Sequence, residues 1–335
     1  LKVSTEEYFE ENKSSQFKNE YDFLKEIEVE GVRKVLDIVV TSDNKEALVL
    51  EYIEGKTLKK AFAEVRPNII QFLEISLQLA NILQQLHQKG IIHKDINNNN
   101  LLIDENGKNV TLIDFGISTK TTLKTQYLGN PETLEGTFPY ISPEQTGRMN
   151  RVVDYRTDFY SLGVTLYYLI TGVLPFDYDE VLQIIHAHIA KVPKLPHAIR
   201  TEIPEMVSRI ILKLMEKNAE DRYQSAYGLK QDLKKCLEAY VNQGSISTFD
   251  LGQEDYSERF QIPQKLYGRE RETEILLQSF ENISKGKKEM LLIGGSSGVG
   301  KSALISEIHK PITSKKGLFI EGKFDQFQRD VPYYG

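Results

Sequence analysis

The stretch IIHKDINNNNLLIDENGKNVTLIDFG, Ile91 to Gly116, sets two short apolar runs, Ile91-Ile92 and Leu101 to Ile103, on either side of a polar loop. A turn signal follows at Asp104-Glu105-Asn106-Gly107, and a third apolar run, Val110 to Ile113, ends in Asp114-Phe115-Gly116. The pattern predicts loop, strand, Gly-containing turn and strand, with acids where the strands end. Such a hairpin brings Asp95, Asn100 and Asp114 to one side. Two oxygen-bearing side chains held close suit Mg²⁺, a hard cation ordinarily bound together with water and substrate phosphates. A third carboxylate nearby can orient a hydroxyl nucleophile. The competing reading is a polar hairpin with a low-complexity run, which Asn97 to Asn100 alone would favour.

The order His-x-Asp, Asn five residues after the Asp, then Asp-Phe-Gly resembles the signature of eukaryotic-type protein kinases. That resemblance makes Asp95 the catalytic base and Asn100 and Asp114 the Mg²⁺ ligands. Leu1-Lys2-Val3 resembles the end of the kinase third strand, whose Lys grips the α- and β-phosphates of ATP. Phe17, Glu20, Tyr21 and Leu24 follow i, i+3, i+4, i+7, so Glu20 falls on the inward face of a helix. An acid there needs a partner, because burying an unpaired carboxylate is costly, and Lys2 is the expected one. A Gly-rich phosphate loop is expected upstream of residue 1, and the chain reads as a fragment.

Val35 to Val40 and Ala47 to Ile53 read as strands around the turn Ser42-Asp43-Asn44-Lys45. LVLEYIEG is similar to a kinase hinge. Leu50 then guards the adenine pocket, backbone groups of Glu51 and Ile53 bind the base, and Gly55 releases the chain into a C-terminal lobe. Ile69 to Lys89 carries a helical core stripe closed by Gly90, in which His87 reads as a packing or capping residue. GTFPYISPE, Gly136 to Glu144, resembles the end of a kinase activation segment, with Thr137 at the position associated with Ser/Thr acceptors. DFYSLGV places Asp158 where the family tethers its catalytic loop, and Arg222 is expected to pair with Glu144. His186 and His188, two apart on a helix, point to different faces and make no metal site. Ser225 to Tyr240 ends this fold, and residues 241–264 read as a linker or an extended docking segment.

A second domain opens in residues 265–335. MLLIGGSSGVGKSALISEIH reads as strand, Gly-rich loop and amphipathic helix. Gly295, Gly298, Gly300, Lys301 and Ser302 fit G-x-x-x-x-G-K-[ST], a backbone cradle for phosphate with Lys301 on the β/γ-phosphates and Ser302 on Mg²⁺. With Leu266-Tyr267-Gly268-Arg269-Glu270 and a helix from Glu272 to Ser284, it resembles the entry to AAA-type ATPases of the STAND class. GKFDQFQRDVPYYG adds a resemblance to large cyanobacterial-type proteins that join a Ser/Thr kinase to an AAA ATPase, sensory and histidine-kinase modules.

The remaining bounds agree. With 335 residues the chain has room for two domains, and 40% hydrophobic residues support a sizeable core. A net charge of −6 gives no basic footprint for nucleic acid. Cys236 is the one cysteine, which excludes an internal disulfide and points to a reducing, cytoplasmic setting. Phe159 to Phe176 is uncharged but interrupted by Gly163, Gly172 and Pro175, and reads as a buried core helix rather than a membrane span.

The expected architecture is an α+β bilobal protein-kinase fold with an incomplete N-lobe over residues 1–240, then the start of an α/β P-loop NTPase domain. The expected function is ATP- and Mg²⁺-dependent phosphorylation of Ser or Thr in a protein partner, within a chain that carries further signalling domains. The alternative is a nucleotide-binding pseudokinase that regulates its ATPase neighbour. Lys94 in place of Arg and Asn97 in place of Lys feed that alternative, while the intact Asp95, Asn100 and Asp114 oppose it. A small-molecule kinase fits less well with the Thr137 to Glu144 segment.

Overall fold

Residues 35–40 and 46–50 pair as the sequence alternation predicts, and a third short strand completes a sheet. In this computed structural model the described residues are 1–3, 20–22, 24–42, 45–120, 127–128, 136–148, 151–256, 268–296, 298–308, 311–312 and 315. The sheet has the order β1 (Lys2–Val3), β3 (Glu46–Leu50), β2 (Val35–Val40), all antiparallel. Its register sets Lys2 opposite Leu48 and Ile38 opposite Leu48 on the other side. Ala47 and Leu48 are both fully buried, so the central strand is covered on both faces. The strand ends at Leu50 rather than at the expected Ile53. There the ladder runs out: Glu51 N–H turns to Lys34 O, outside β2, at 2.9 Å. Residues 20–22 and 24–26 are helical, with Glu20 and Leu24 buried. Phe17, expected on the same face, lies outside the described residues.

The larger lobe is helical. Helix α1 (Ile69–Gln88) starts at Asn68, whose side chain accepts from Gln71 N–H, and buries Phe72, Leu73, Leu79, Leu83 and Leu86. It leads into Ile91-Ile92 and then the expected hairpin, β4 (Leu101–Ile103) with β5 (Val110–Leu112), in the register Leu101 to Leu112 and Ile103 to Val110. Asp104 closes the turn by accepting from Lys108 N–H at 2.7 Å and Asn109 Nδ2 at 2.6 Å. Helix α2 (Arg156–Thr171) runs through the centre of the lobe with every residue but Tyr168 buried. It can lie close against α3 (Glu205–Leu214) because Gly163 carries no side chain. A Cβ there would stand 2.8 Å from Leu214 Cβ and Met215 Cγ. No helix among the described residues is long and apolar enough to cross a membrane.

Helix α4 (Ala226–Gln243) continues three residues past the expected end at Tyr240 and stops at Gly244 in the left-handed region. The chain then turns back along the lobe. Ile246, Phe249 and Leu251 pack against the core, and Gly252 N–H donates to the buried Asp232 at 2.8 Å. Asp255 accepts from Gln224 N–H at 2.7 Å, Ser225 N–H at 2.8 Å and Ser225 Oγ at 2.7 Å. Gly228 makes room for it, since a Cβ at that position would lie 2.6 Å from Asp255 Cα. Residues 244–256 are thus a docked segment, and 257–267 lie outside the described residues.

Helices α5 (Glu270–Ser284) and α6 (Lys301–Ser306) flank the glycine-rich loop. The apolar run at 290–293 is assigned to no strand, and Met290 and Leu292 are more than four-fifths exposed. A strand needs a neighbour for its N–H and C=O groups, and residues 268–296 contribute none to any sheet.

Candidate active site

Three elements remote in sequence meet at Lys2. Its Nζ donates to Glu20 Oε2 at 2.6 Å and to Asp114 Oδ1 at 2.9 Å. Strand β1, the buried helical turn and the loop after β5 are therefore joined through one ammonium group. Burial works against the charge on Lys2, but its two carboxylate partners outweigh that and raise its pKa. Burial likewise favours a neutral Asp114. The charge and hydrogen bond of Lys2, with Gly116 N–H at 3.3 Å, overcome it and hold the carboxyl below the ordinary range. Asp114 is thus anionic at neutral pH. It is also one of two non-glycine residues with positive φ among those described, at +70°; Lys94, at +69°, is the other. The left-handed backbone is costly for such residues and persists where surrounding contacts hold it.

Those contacts are visible around Lys94. Asp158, fully buried on α2, accepts from His93 N–H at 3.0 Å and Lys94 N–H at 2.8 Å. His87 packs as expected, its ring 5.3 Å from those of Tyr155 and Phe159, and its Nε2 also lies 2.9 Å from the same carboxylate, which makes it part of the tether as well. Sequence spacing gave no sign of this pair. His93 is fully buried and stacks edge-on against Phe115 at 4.7 Å, and burial lowers its pKa, keeping it neutral.

Asp95 faces the same space. Its Oδ2 accepts from Asn100 Nδ2 at 2.8 Å and its Oδ1 from Thr137 N–H at 3.1 Å. The Asn97 to Asn100 run is not a uniform polar stretch. Asn97 and Asn98 are buried, Asn98 Nδ2 reaches Thr165 O on α2 at 3.1 Å, and Asn99 is exposed. Gln145, which nothing in the motif pattern singled out, donates to Lys94 O at 3.0 Å. The expected Glu144–Arg222 pair is formed and bidentate, at 2.6 and 2.8 Å. Leu50 packs at the edge of the core. Glu51 N–H is committed to Lys34 O, and Ile53 is half-buried.

The donor set suits a hard cation. Asp114 and Asn100 offer oxygen on adjoining loops, and no group of three His, Cys, Asp or Glu gathers among the described residues. One or two such ligands completed by phosphate and water is how Mg²⁺ is ordinarily held. The second glycine-rich site is built differently. Gly298 and Gly300 have φ of +82° and +93°, and Lys301 Nζ folds back on Gly295 O at 2.9 Å and Ser296 O at 2.8 Å. Ser302 is exposed at the second position of α6.

Comparison with known proteins follows this division. Residues 1–234 match the family model described as a protein kinase domain, and residues 265–335 the one described as an AAA ATPase domain. The chain is 32% identical over 360 aligned residues to hybrid signal transduction histidine kinase G of Dictyostelium discoideum, covering 82% of this chain and 10% of that protein. It is 36% identical over 222 residues to a probable serine/threonine-protein kinase of Clostridium perfringens, covering 66% of this chain and 31% of that one. With serine/threonine-protein kinase PrkC of Bacillus subtilis it shares 32% over 193 residues, 57% of this chain and 29% of the relative. The chain thus spans between a tenth and a third of the length of these relatives.

Proposed function

Since the chain belongs to the protein kinase domain family through residues 1–234, we propose that it transfers the γ-phosphoryl group of ATP to a serine or threonine hydroxyl of a protein. The observation that carries this is the double contact of Lys2 with Glu20 and Asp114, at 2.6 and 2.9 Å, beside an Asp95 already fixed by Asn100 and Thr137. Lys2 would bind the α- and β-phosphates, oriented by Glu20. Asp95 would accept the hydrogen of the acceptor hydroxyl as it attacks phosphorus, while the bond to the ADP oxygen breaks. Asp114 and Asn100 would hold Mg²⁺, which neutralises phosphate charge when bound. Leu50, the Glu51 carbonyl and Ile53 would receive adenine.

A second nucleotide would bind at Gly295, Gly298, Gly300, Lys301 and Ser302, where freeing Lys301 from the loop carbonyls lets it meet phosphate. Similarity over 82% of the chain to a hybrid signal transduction histidine kinase supports a place in a multidomain signalling protein. The packing of residues 244–256 supports a kinase unit that extends to residue 256.

The test is transfer of labelled γ-phosphate from ATP to a generic protein substrate by the full-length protein, with Asp95→Asn as control. Transfer lost in the control supports the proposal. Nucleotide binding without transfer in the wild type would refute it and favour a regulatory nucleotide-binding domain.

A further inference from the structure

Asn97 is 1% exposed, and its carboxamide is saturated. Nδ2 donates to Asp95 O and to Thr137 Oγ1, both at 3.2 Å, while Oδ1 accepts from Asn99 N–H at 2.9 Å and Asn100 N–H at 3.3 Å. Two donors and two lone pairs are all such a group has, so this side chain has nothing left for substrate. Its position gives it another use. One end reads the hydroxyl of Thr137, in the segment of residues 136–146. The other end sets the backbone on which Asp95 and Asn100 stand. Two further bonds tie the same loops: Thr137 N–H to Asp95 at 3.1 Å, and Gln145 Nε2 to Lys94 O at 3.0 Å. Gln145 is itself fixed, since its Oε1 accepts from Ser142 N–H at 3.1 Å and Ser142 Oγ at 3.0 Å. Apart from the Asp95 carboxylate, every group in this joint is uncharged.

We propose that Asn97 is a positioning residue for phosphoryl transfer. Its carboxamide couples the placement of segment 136–146, through Thr137, to Asp95 and Asn100. The surface that receives the acceptor and the groups that act on it are then set together by neutral, buried hydrogen bonds. This rests on the kinase reading above.

A double-mutant cycle in the full-length protein tests it. Thr137→Val is expected to lower kcat by about tenfold, the worth of one well-placed hydrogen bond, and Asn97→Ala, which removes that bond and three more, by at least as much. KM for ATP should stay near wild type. The double variant should lose no more than Asn97→Ala alone, because the bond that Thr137→Val removes is one that Asn97→Ala has already removed. Thr137→Ser, which keeps the hydroxyl, should restore kcat. The fraction of folded protein is measured for each variant by circular dichroism, and kcat is expressed per folded molecule. Multiplicative losses, an unchanged kcat in Asn97→Ala, or failure of Thr137→Ser to rescue would each overturn the inference. A wild type that transfers no phosphate would instead bring down the kinase reading, and this inference with it.

Discussion

Arg222→Met should cost the kinase domain much of its stability, and the cost should depend on pH. Arg222 is 1% exposed. It donates to both oxygens of Glu144 and to the carbonyls of Glu216, Arg156 and Lys217 at 2.8, 3.0 and 3.2 Å. Glu144 is also buried, and it accepts from Thr157 Oγ1 at 2.8 Å. Methionine fills a similar volume but leaves the carboxylate without its countercharge, which costs about 3–5 kcal/mol. At about 2–4 °C per kcal/mol for a domain of this size, Tm falls by roughly 6–20 °C. Burial by itself would raise the Glu144 pKa, but the charge and hydrogen bonds of Arg222 outweigh it and hold it below the usual range. A carboxyl depressed in the folded state contributes stability above its unfolded pKa, and loses it as pH falls through the folded one. The wild type therefore keeps this contribution at pH 7 and near pH 5. In the variant only the hydrogen bonds to Glu144 that do not involve Arg222, such as that from Thr157, are left to oppose burial, so the folded pKa is expected to rise above the unfolded one and protonation relieves the strain as pH falls. Urea unfolding followed by far-UV circular dichroism at both pH values should show a deficit against wild type that is largest at pH 7. A deficit under about 1 kcal/mol at pH 7, or an equal deficit at both, would refute the reasoning.

Asp114→Asn should stop protein phosphorylation yet leave nucleotide bound at Gly295 to Ser302, whereas Lys301→Ala should weaken that second site and spare phosphorylation. Nucleotide stoichiometry and transfer, measured on both variants, check this, and a kinase silenced by Lys301→Ala would show that the sites are coupled. Thr125→Ala and Thr133→Ala, at positions outside the described residues, should leave transfer near wild type, because Lys94 is a point charge and not the planar fork that clamps a phosphorylated segment; loss of activity would assign that clamp to Lys94. Gly228→Val drives a side chain into Asp255 and should destabilise by about 1–3 kcal/mol, read as faster proteolytic cutting within residues 244–256, and an unchanged cutting rate would count against the docked segment. Cys236 is fully buried, with its thiol pushed up to about 12, so a thiol reagent at pH 8 should label it only after unfolding in urea; rapid labelling of native protein would contradict that burial.

The hairpin and its acids were legible because two spaced motifs bracket two apolar runs, and local periodicity carries that much. Glu20 was legible as an inward acid for the same reason, and a buried acid demands a cation. Asp158 and the Glu144–Arg222 pair came through resemblance and form the expected bonds. Periodicity reports which face is buried but not which partner waits there. His87 therefore read as packing or capping, and it does pack, but the acid it also meets on a helix far along the chain left no trace in the spacing. The Asn run looked repetitive, since composition cannot show that neighbouring amides serve different loops. Residues 244–256 lack periodicity because they are held by single anchors, Ile246, Phe249, Leu251 and Asp255, rather than along one face. The run at 290–293 has the composition of a strand, but strand formation is a property of a pair.

Those anchors bear on where the kinase can be cut. A chain ended at residue 240 uncovers the apolar surface under Ile246, Phe249 and Leu251, and leaves the N–H groups of Gln224 and Ser225 without the carboxylate they donate to. The bare groove is shaped for this same peptide, whichever molecule supplies it. In a mixture of shortened and complete chains, or where the bend at Gly244 is stiffened, the segment can leave its own lobe and seat itself on a neighbour's. An entwined pair formed by such exchange would elute as a dimer, and a self-association assay on trimmed protein would then be measuring the cut.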